Sequence, residues 1–326
     1  ITKVRKNPVR HLIGNLDDLP FPDRDLTLAN SFLKGVTKKT FYTSRGCPFN
    51  CHYCCNSYYQ ALYKGKGRAI RRFSVERVIR EIEYVKGRYK MDFLKFGDDV
   101  FAFSADSWLE EFAEKYQKRI GIPFNCFLRF DCIDDKLLSL LRNAGCFSVH
   151  LSVDSTSEYI REEILGRKMR KVDIVENLRK VRSYGINTWV NYMLAAPEST
   201  LQDDLSAIEL SHKADVTYSS FSITVPMDGT ALFAYCQAKN LINPLVHSSD
   251  MSGCTEPSRL PCFSRKDKKI RYNIFLLGAI IAKLPSKLMK VAMCFLKVVP
   301  PNFIYKKLRE LFYRYSIENT IFRISS

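Results

Sequence analysis

Residues 43–55 read T-S-R-G-C-P-F-N-C-H-Y-C-C, and they include four of the eleven cysteines of this 326-residue chain. Cys47, Cys51 and Cys54 form a Cys-x3-Cys-x2-Cys pattern in a loop that follows the first predicted strand. Thiolates are soft ligands that suit iron–sulfur clusters and zinc. Three thiolates can hold three corners of a [4Fe–4S] cubane and leave the fourth iron open to another ligand. The remaining cysteines are scattered through the chain, so the sequence predicts one metal site and no disulfide scaffold.

A zinc site is the alternative that this loop leaves open, and a chance spacing is a third. Zinc normally takes four tetrahedral ligands, and His52 or Cys55 could supply the fourth. However, Cys54 and Cys55 are neighbours that converge poorly on one ion, and no second pair of Cys or His residues follows at zinc-finger spacing. We therefore favour the open cluster, with Cys55 as a bystander.

Outward from the loop, short runs rich in β-forming residues alternate with amphipathic helical stretches six times. This alternation indicates right-handed crossovers and a parallel sheet, but its periodicity fits an open doubly wound sheet as well as a partial barrel. We predict that Ser74 and Ser104 cap helices and that Gly145 and Gly185 end them. The predicted strands are Thr40–Ser44, Phe93–Phe96, Phe124–Leu128, Ser148–Val153, Thr188–Leu194 and Tyr218–Val225, and the predicted helices are Val75–Tyr89, Ala105–Arg119, Asp135–Asn143, Val172–Tyr184, Leu201–Lys213 and Ala231–Lys239.

The cysteine loop, with the aromatic Tyr53 just before its last cysteine, resembles the signature of the radical S-adenosylmethionine (SAM) superfamily. A second position after a predicted strand is similar to another motif of that family. The resemblance implies that Gly97, Asp98 and Asp99 correspond to a Gly-Gly-Glu motif, whose polar groups hold the amino group of SAM. Asp98 and Asp99 replace Gly and Glu of that motif.

Three later positions extend the resemblance. Asp154, within Val153-Asp154-Ser155, resembles the glutamate of a Glu-Ser motif that faces the ribose of SAM. Arg167, within L-G-R-K, matches a basic residue that pairs with the SAM carboxylate. Ala195 stands where glycine is usual in the apolar segment beside the adenine. These positions all follow predicted strands or lie near their ends, and active sites of α/β barrels gather at the carboxyl ends of the strands.

The resemblance covers about residues 39–240 and implies an α/β fold, a partial (β/α)6 TIM-like barrel. It also implies a [4Fe–4S] cluster and SAM as cofactors, with reductive cleavage of SAM that generates a 5′-deoxyadenosyl radical. An external electron donor such as flavodoxin or ferredoxin is then required. We divide the chain into a linker over 1–38, a radical SAM partial barrel over 39–245 and a basic helical C-terminal extension over 246–326.

Residues 15–26, N-L-D-D-L-P-F-P-D-R-D-L, are similar to the linker that follows a cobalamin-binding domain in B12-dependent radical SAM proteins. We expect that domain to be absent or truncated here, so that cobalamin would be bound in a full-length parent protein. The resemblance implies C-methylation or cyclisation of a lipid or another small secondary metabolite. An RNA-modifying, methylthiotransferase-like radical SAM enzyme is one alternative. A zinc or nucleic-acid-binding protein is another, although no nucleic-acid-binding motif is recognisable.

The net charge of +17 is concentrated near the C-terminus, where residues 263–326 contain 14 Lys and Arg but three Asp and Glu. One helical stretch there combines an apolar face with basic neighbours; its apolar residues are Phe303, Ile304, Leu308, Leu311, Phe312 and Tyr315. We favour packing of this face on the barrel, and contact with an anionic membrane surface is the alternative. The apolar run 274–282 is too short to cross a bilayer. Because no signal sequence opens the chain, we expect a cytoplasmic protein. The alternative is a cytoplasmic protein that contacts the membrane peripherally.

Overall fold

The computed structural model describes residues 7–29, 31–169, 172–242 and 253–323, and its central element is a six-stranded parallel sheet. The strands in chain order are β1 (Lys38–Phe41), β2 (Ser44–Arg45), β3 (Arg71–Arg72), β4 (Phe93–Phe96), β5 (Phe124–Phe127), β6 (Cys146–Asp154), β7 (Asn187–Leu194) and β8 (Tyr218–Ile223). The sheet order is β1-β4-β5-β6-β7-β8, and β2 and β3 form a separate antiparallel pair.

Helices connect the strands and flank the sheet. In chain order they are α1 (Asp25–Leu28), α2 (Ser31–Lys34), α3 (Cys55–Leu62), α4 (Val75–Lys86), α5 (Ser107–Arg119), α6 (Asp135–Asn143), α7 (Ile174–Ser183), α8 (Leu201–Lys213), α9 (Ala231–Ala238), α10 (Arg265–Ile281), α11 (Ser286–Val298) and α12 (Phe303–Tyr315). Short 3-10 helices lie at Leu16–Asp18 and Phe130–Cys132, and π-helical turns lie at Ile160–Ile164 and Ser316–Ile321.

The predicted α/β fold, a partial (β/α)6 barrel with a helical C-terminal extension, is confirmed. The six strands are joined in chain order and all neighbours are parallel, so their carboxyl ends lie at one edge of the sheet. β1 and β8 are the edge strands, and among the described residues no strand closes the sheet into a full barrel. The carboxyl edge is where the loops that carry the predicted site residues come together.

Local signals explain where the helices begin and end. The Ser74 side chain accepts a hydrogen bond from Arg77 N, as predicted for an N-cap. The prediction for Ser104 was wrong, because the Asp106 carboxylate accepts from Leu109 N and starts α5 two residues later. Gly145 follows α6 with φ at +94°, a left-handed conformation that favours glycine.

Aromatic rings fill the layer between the sheet and helices α4 to α6. Phe96, Phe112 and Phe124 are fully buried. The ring centroid of Phe96 lies 5.5 Å from that of Phe112 and 5.2 Å from that of Phe124, both in edge-to-face geometry. Such pairs contribute about 0.5–1.5 kcal/mol beyond area burial. This packing fixes β4 and β5, whose carboxyl ends border the candidate site.

The C-terminal extension is part of the barrel's packing. α10 packs against β8 and α8, and its Arg271 is 1% exposed. Arg271 Nε lies 2.6 Å from Asp204 Oδ2 on α8, and Arg271 Nη2 donates to Ser199 O at 2.8 Å. These two bonds fix the guanidinium of Arg271 to α8 and to the segment that precedes α8. No helix in the described part of the chain is both long enough and apolar enough to cross a membrane.

The last described turn packs against the inner face of the sheet, which is the face opposite helices α4 to α8. Ile321 and Phe322 are buried in a cluster with Phe93 of β4 and Tyr218 of β8. Ser148 Oγ donates to Ile321 O at 2.6 Å. Residues 316–323 therefore form a floor inside the barrel, a role that their composition did not indicate.

The N-terminal segment also packs on the barrel over its described part. Leu16 is 1% exposed in the core, and Arg24 Nη2 lies 2.8 Å from Glu81 Oε1 of α4. Arg24 Nη1 donates to Thr40 O of β1 at 2.9 Å. The three-part division of the chain stays a prediction, and its boundary at residues 245 and 246 lies outside the described residues.

Candidate active site

The three cysteines lie on one loop at the carboxyl end of β1. Gly46 opens this loop with φ at +89°, and a Cβ there would lie 2.1 Å from Ala69 O, so the position requires glycine. Cys54 occupies the N-cap position of α3. Gln60 Nε2 on that helix donates to Cys47 O at 2.7 Å. Helix α3 therefore fixes the position of the cysteine loop through this hydrogen bond.

The thiols form one electrostatic group with a carboxylate. Burial, aided by the neighbouring Asp99, Cys51 and Cys54, raises the pKa of Cys47 to about 11. Burial also raises the pKa of Cys54, with Cys51 and Asp99 among the smaller causes. Cys47 and Cys54 therefore resist ionisation on their own, and a bound cationic iron would supply the charge that stabilises the thiolates.

The candidate ligands are three soft thiols, a donor type that suits an iron–sulfur cluster. Among the described residues, no three His, Cys, Asp or Glu side chains are arranged to hold one metal ion. A cubane is larger than one ion and takes its cysteines as separate corner ligands. Three thiols on one loop, next to the exposed carboxylate of Asp99, are the donor set that such a cluster with one open iron requires.

The two aspartates after β4 have different surroundings. Asp98 is 2% exposed, and its carboxylate accepts from Thr43 N at 2.9 Å, from Thr43 Oγ1 at 3.1 Å and from Ser44 Oγ at 2.5 Å. These bonds join the end of β4 to the start of the cysteine loop. Asp99 is exposed and lines the cavity beside the cysteines. Gly97 packs under a tyrosine, since a Cβ there would lie 2.7 Å from the ring of Tyr42.

Tyr53, Asp154 and Arg167 form a buried cluster across the site. The Tyr53 hydroxyl donates to Asp154 Oδ2 at 2.5 Å, and Arg167 Nε lies 3.2 Å from the same oxygen. Arg167 Nη1 donates to the Tyr53 hydroxyl at 3.3 Å, and Ser152 Oγ donates to Asp154 Oδ1. The three side chains, predicted from separate motifs, thus contact one another.

The Arg167 segment is tied to the cysteine loop through its backbone. His52 N donates to Leu165 O at 2.9 Å. Gly166 has φ at +61°, and a Cβ there would lie 2.4 Å from the His52 ring. Any larger residue at this position would push the loop away, so the glycine sets the distance between the cysteines and Arg167.

Ala195 directly follows the carboxyl end of β7. It is buried, has φ at +56°, and its backbone N–H donates to Asp204 Oδ2 at 3.1 Å. Glycine adopts this left-handed conformation at a lower energetic cost than alanine, which explains why glycine is usual at this position. Through Asp204 the segment after β7 is joined to Arg271 of the C-terminal extension.

A cavity of about 140 Å3 connects several of these residues. Cys47, Cys51, Tyr53, Cys54, Asp99 and Arg167 line it, whereas Gly97, Asp98, Asp154 and Ala195 do not. Five further residues that line the cavity were not predicted from the sequence to belong to the site: Phe127, Arg129, His150, Ser152 and Asn191. Their signal was the two-residue alternation along β5, β6 and β7, which indicates residues that share one face.

Comparisons with known proteins agree with this geometry. The sequence profile of the Radical SAM superfamily matches residues 41–222. An uncharacterized methyltransferase of Pyrococcus horikoshii is 29% identical over 241 residues, which cover 74% of this chain and 51% of that protein. Cytidylyl-2-hydroxyethylphosphonate methyltransferase of Streptomyces wedmorensis is 21% identical over 261 residues, which cover 74% of this chain and 47% of that protein. The chain spans about half the length of these relatives.

Among solved structures, the radical SAM methyltransferase TsrM of Kitasatospora setae, with cobalamin and a [4Fe–4S] cluster bound, superimposes with a TM-score of 0.56. The match covers 86% of this chain and 61% of that one, at 13% sequence identity. At this identity the likeness concerns the fold.

Proposed function

The chain belongs to the radical SAM superfamily, and from this premise we propose that Cys47, Cys51 and Cys54 hold a [4Fe–4S] cluster used to cleave SAM. The family assignment makes the protein an enzyme with a cluster and SAM as cofactors. When reduced, the cluster supplies the electron that breaks a C–S bond of SAM. The observation that carries the ligand assignment is the group of three thiols on one loop, beside Asp99 and a cavity.

The chain's own residues would position SAM at the open iron. We propose that Asp99 accepts the amino group of SAM, because its exposed carboxylate faces the same cavity as the cysteines. Arg167 would pair with the SAM carboxylate, and its bond to Tyr53 and contact with Asp154 hold the guanidinium in place. Gly97 and Asp98 would fix the position of the cysteine loop, and Ala195 would lie beside the adenine of SAM.

We propose methyl transfer to carbon as the reaction, with cyclisation as the related outcome. Two of the relatives described above are named methyltransferases, and the structural neighbour binds cobalamin. Residues 15–26, together with the partial coverage of the relatives, support cobalamin binding by a longer protein of which this chain is a part. The substrate would be a small molecule or lipid.

Anaerobic reconstitution with iron and sulfide tests the cluster and its chemistry. We expect about four irons per chain and formation of 5′-deoxyadenosine from SAM after reduction with dithionite. Cys54→Ser should lose both, whereas Cys55→Ser is the matched control and should retain them. If the unsubstituted chain takes up iron and sulfide but never cleaves SAM, the proposal is contradicted.

The electron donor is proposed to be an acidic flavodoxin or ferredoxin. Arg45, Lys64 and Arg68 are exposed near the cysteine loop in the sequence, and such cations favour encounter with an acidic partner. Replacement of all three by Gln should slow flavodoxin-driven SAM cleavage and leave dithionite-driven cleavage unchanged. Equal loss with both reductants would argue against a donor surface.

Contact with an anionic membrane is proposed for the C-terminal apolar face, defined as Leu288, Val291, Phe295, Phe303, Ile304, Leu308 and Leu311. The expectation that the apolar residues of α12 pack on the barrel was wrong for most of them, since Phe303 is 75% exposed and Leu311 is 59% exposed. Only Phe312 of that set packs inward, against Tyr218. The same two helices, α11 and α12, also carry Lys and Arg residues, which suit anionic headgroups.

Co-sedimentation with lipid vesicles tests this contact. We expect the protein to sediment with phosphatidylcholine vesicles that contain phosphatidylglycerol, and to stay in solution with pure phosphatidylcholine. Leu311→Glu should reduce sedimentation, whereas Leu26→Glu, at an apolar residue that is 81% exposed elsewhere, should not. Equal behaviour with both kinds of vesicle would exclude the proposed electrostatic contact.

A further inference from the structure

Two lysines on the inner face of the barrel have no carboxylate partner among the described residues. Lys38 of β1 and Lys95 of β4 are both half-buried. Burial lowers the pKa of Lys95, and burial together with the charge of Lys95 lowers the pKa of Lys38. Two cations that repel each other in a partly desolvated space are costly unless an anion joins them.

Both lysines lie against aromatic rings. Lys38 Nζ lies 3.9 Å from the ring centroid of Phe322, and Lys95 Nζ lies 4.9 Å from that of Phe127. Cation–π contacts stabilise an ammonium by about 0.5–2 kcal/mol, but they do not neutralise its charge. The positive potential of the inner face is therefore left uncompensated by the described residues.

Neutral hydrogen-bonding groups lie next to this charge. The imidazole of His150 is stacked between Phe127, at 4.4 Å, and Trp189, at 4.2 Å between ring centroids. Burial lowers the pKa of His150 to about 3, so the ring is neutral at physiological pH. Neither imidazole nitrogen makes a hydrogen bond of normal geometry, although Asn191 lies close enough to offset part of the effect of burial on the pKa of His150. Trp189 Nε1, a donor, and Asn191 Oδ1, an acceptor, are also without a partner among the described residues. Buried polar atoms are almost always satisfied in native proteins, so this set indicates a missing partner.

Part of this set lines the cavity of the candidate active site, and Lys95 lies next to it. His150, Asn191 and Phe127 line the same cavity as the cysteines, and Lys95 lies beside Phe127 on the adjacent strand. A ligand that reached them would extend from the cysteine loop into the barrel. Residues 316–323 pack near the amino ends of β4 and β8, at the opposite end of the strands from the cysteine loop.

We propose that Lys95, His150 and Asn191 bind an oxyanion of the substrate, either a carboxylate or a phosphorus oxyanion, and so orient the substrate beneath the cysteine loop. This inference rests on the proposed function, because it assigns part of that enzyme's substrate. Lys95 supplies the charge, and Lys38 adds to the attraction from the neighbouring strand. His150 has one donor nitrogen in its neutral form, and Asn191 can donate from Nδ2, whereas its unpartnered Oδ1 is an acceptor and does not bind the anion.

Tryptophan fluorescence of the reconstituted chain tests the site with inorganic phosphate as the probe. Trp189 and Trp108 are the two tryptophans, and Trp108→Phe leaves Trp189 as the reporter beside the site. Phosphate should change the emission saturably, whereas chloride at equal ionic strength should not. A parallel titration with acetate separates a carboxylate site from one that requires a phosphorus oxyanion.

Variants of Lys95 decide whether the signal comes from this site. Lys95→Met should weaken phosphate binding at least about tenfold, equivalent to 1.4 kcal/mol. Lys118→Met removes an equal charge from the exposed face of α5 and should change nothing. Because Lys95→Met could affect folding, Lys95→Arg is the second variant and should retain binding within a few-fold.

Three outcomes would overturn the inference. These are no saturable response to either anion, a response identical to that of chloride, or equal affinity in the parent and Lys95→Met. A parent that cleaves SAM but shows none of the anion response overturns this inference alone. A parent that binds phosphate through Lys95 but never cleaves SAM overturns the proposed function instead.

Discussion

Substitution of Arg271 by Met should destabilise the whole barrel, although Arg271 lies in the C-terminal extension. Arg271 and Asp204 are 1% and 4% exposed, and Arg271 Nε lies 2.6 Å from Asp204 Oδ2. Burial raises the pKa of Asp204 to about 6 even with the guanidinium as partner, so this site strongly disfavours a carboxylate. Methionine fills a similar volume but leaves that carboxylate unpaired.

The expected cost is about 3–5 kcal/mol, the usual range when one partner of a buried ion pair is removed. The loss of the bond to Ser199 O and of the contact with the Phe263 ring, at 3.9 Å, contributes to this value. Urea unfolding of the variant, followed by far-ultraviolet circular dichroism, measures the change in the free energy of unfolding. The slope with denaturant should stay unchanged, because the same surface is exposed.

A double variant separates the ion pair from general packing. Asp204→Leu combined with Arg271→Met removes both charges, and replacing a buried pair by apolar residues is often neutral. We therefore expect the double variant to regain part of the stability that Arg271→Met loses, because Asp204→Leu still leaves the buried Ala195 N–H without its acceptor. A loss below about 1 kcal/mol for Arg271→Met, or no recovery in the double variant, would refute the reasoning.

Three further variants test other contacts. Phe322→Ala removes a ring that is 2% exposed and lies 5.5 Å from Phe93, so it should cost about 3–5 kcal/mol in thermal or urea unfolding; a change near zero would show that no floor exists. Gly166→Ala should reduce iron uptake on reconstitution, because its Cβ would meet the His52 ring; normal uptake would contradict this. Asp98→Ala should lower stability by about 1–3 kcal/mol by leaving Thr43 N and both hydroxyls unbonded, and an unchanged urea midpoint would count against that network.

Much of the fold could be predicted from the sequence because local patterns decide it. β4 (Phe93–Phe96), α6 (Asp135–Asn143) and α8 (Leu201–Lys213) begin and end where composition and periodicity place them. The start of α5 could not be predicted as well, because Ser104 and Asp106 are both good caps and only the folded backbone selects the carboxylate. Strand order could not be predicted from the periodicity, because the alternation of strands and helices fits an open doubly wound sheet as well as a partial barrel.

The inner face and the tail could not be predicted, because both depend on long-range contacts. The two-residue spacing along β6 places His150 and Ser152 on one face, but strands that are buried on both faces do not show which face points into the barrel, so neither Lys95 nor His150 could be assigned to the inner face. The pair between Asp204 and Arg271 joins residues 67 positions apart, and nothing local in either segment indicates it. Cysteine spacing is a local pattern, and for this reason the candidate ligands could be named first.

The central claim is that one iron of the cluster has no protein thiolate and is free to bind SAM. Mössbauer spectroscopy of the reconstituted chain, enriched in iron-57, measures this directly with and without SAM. We predict that SAM changes the signal of one of the four irons and leaves the other three unchanged. A spectrum that SAM does not alter, or one that changes equally at all irons, would contradict the account.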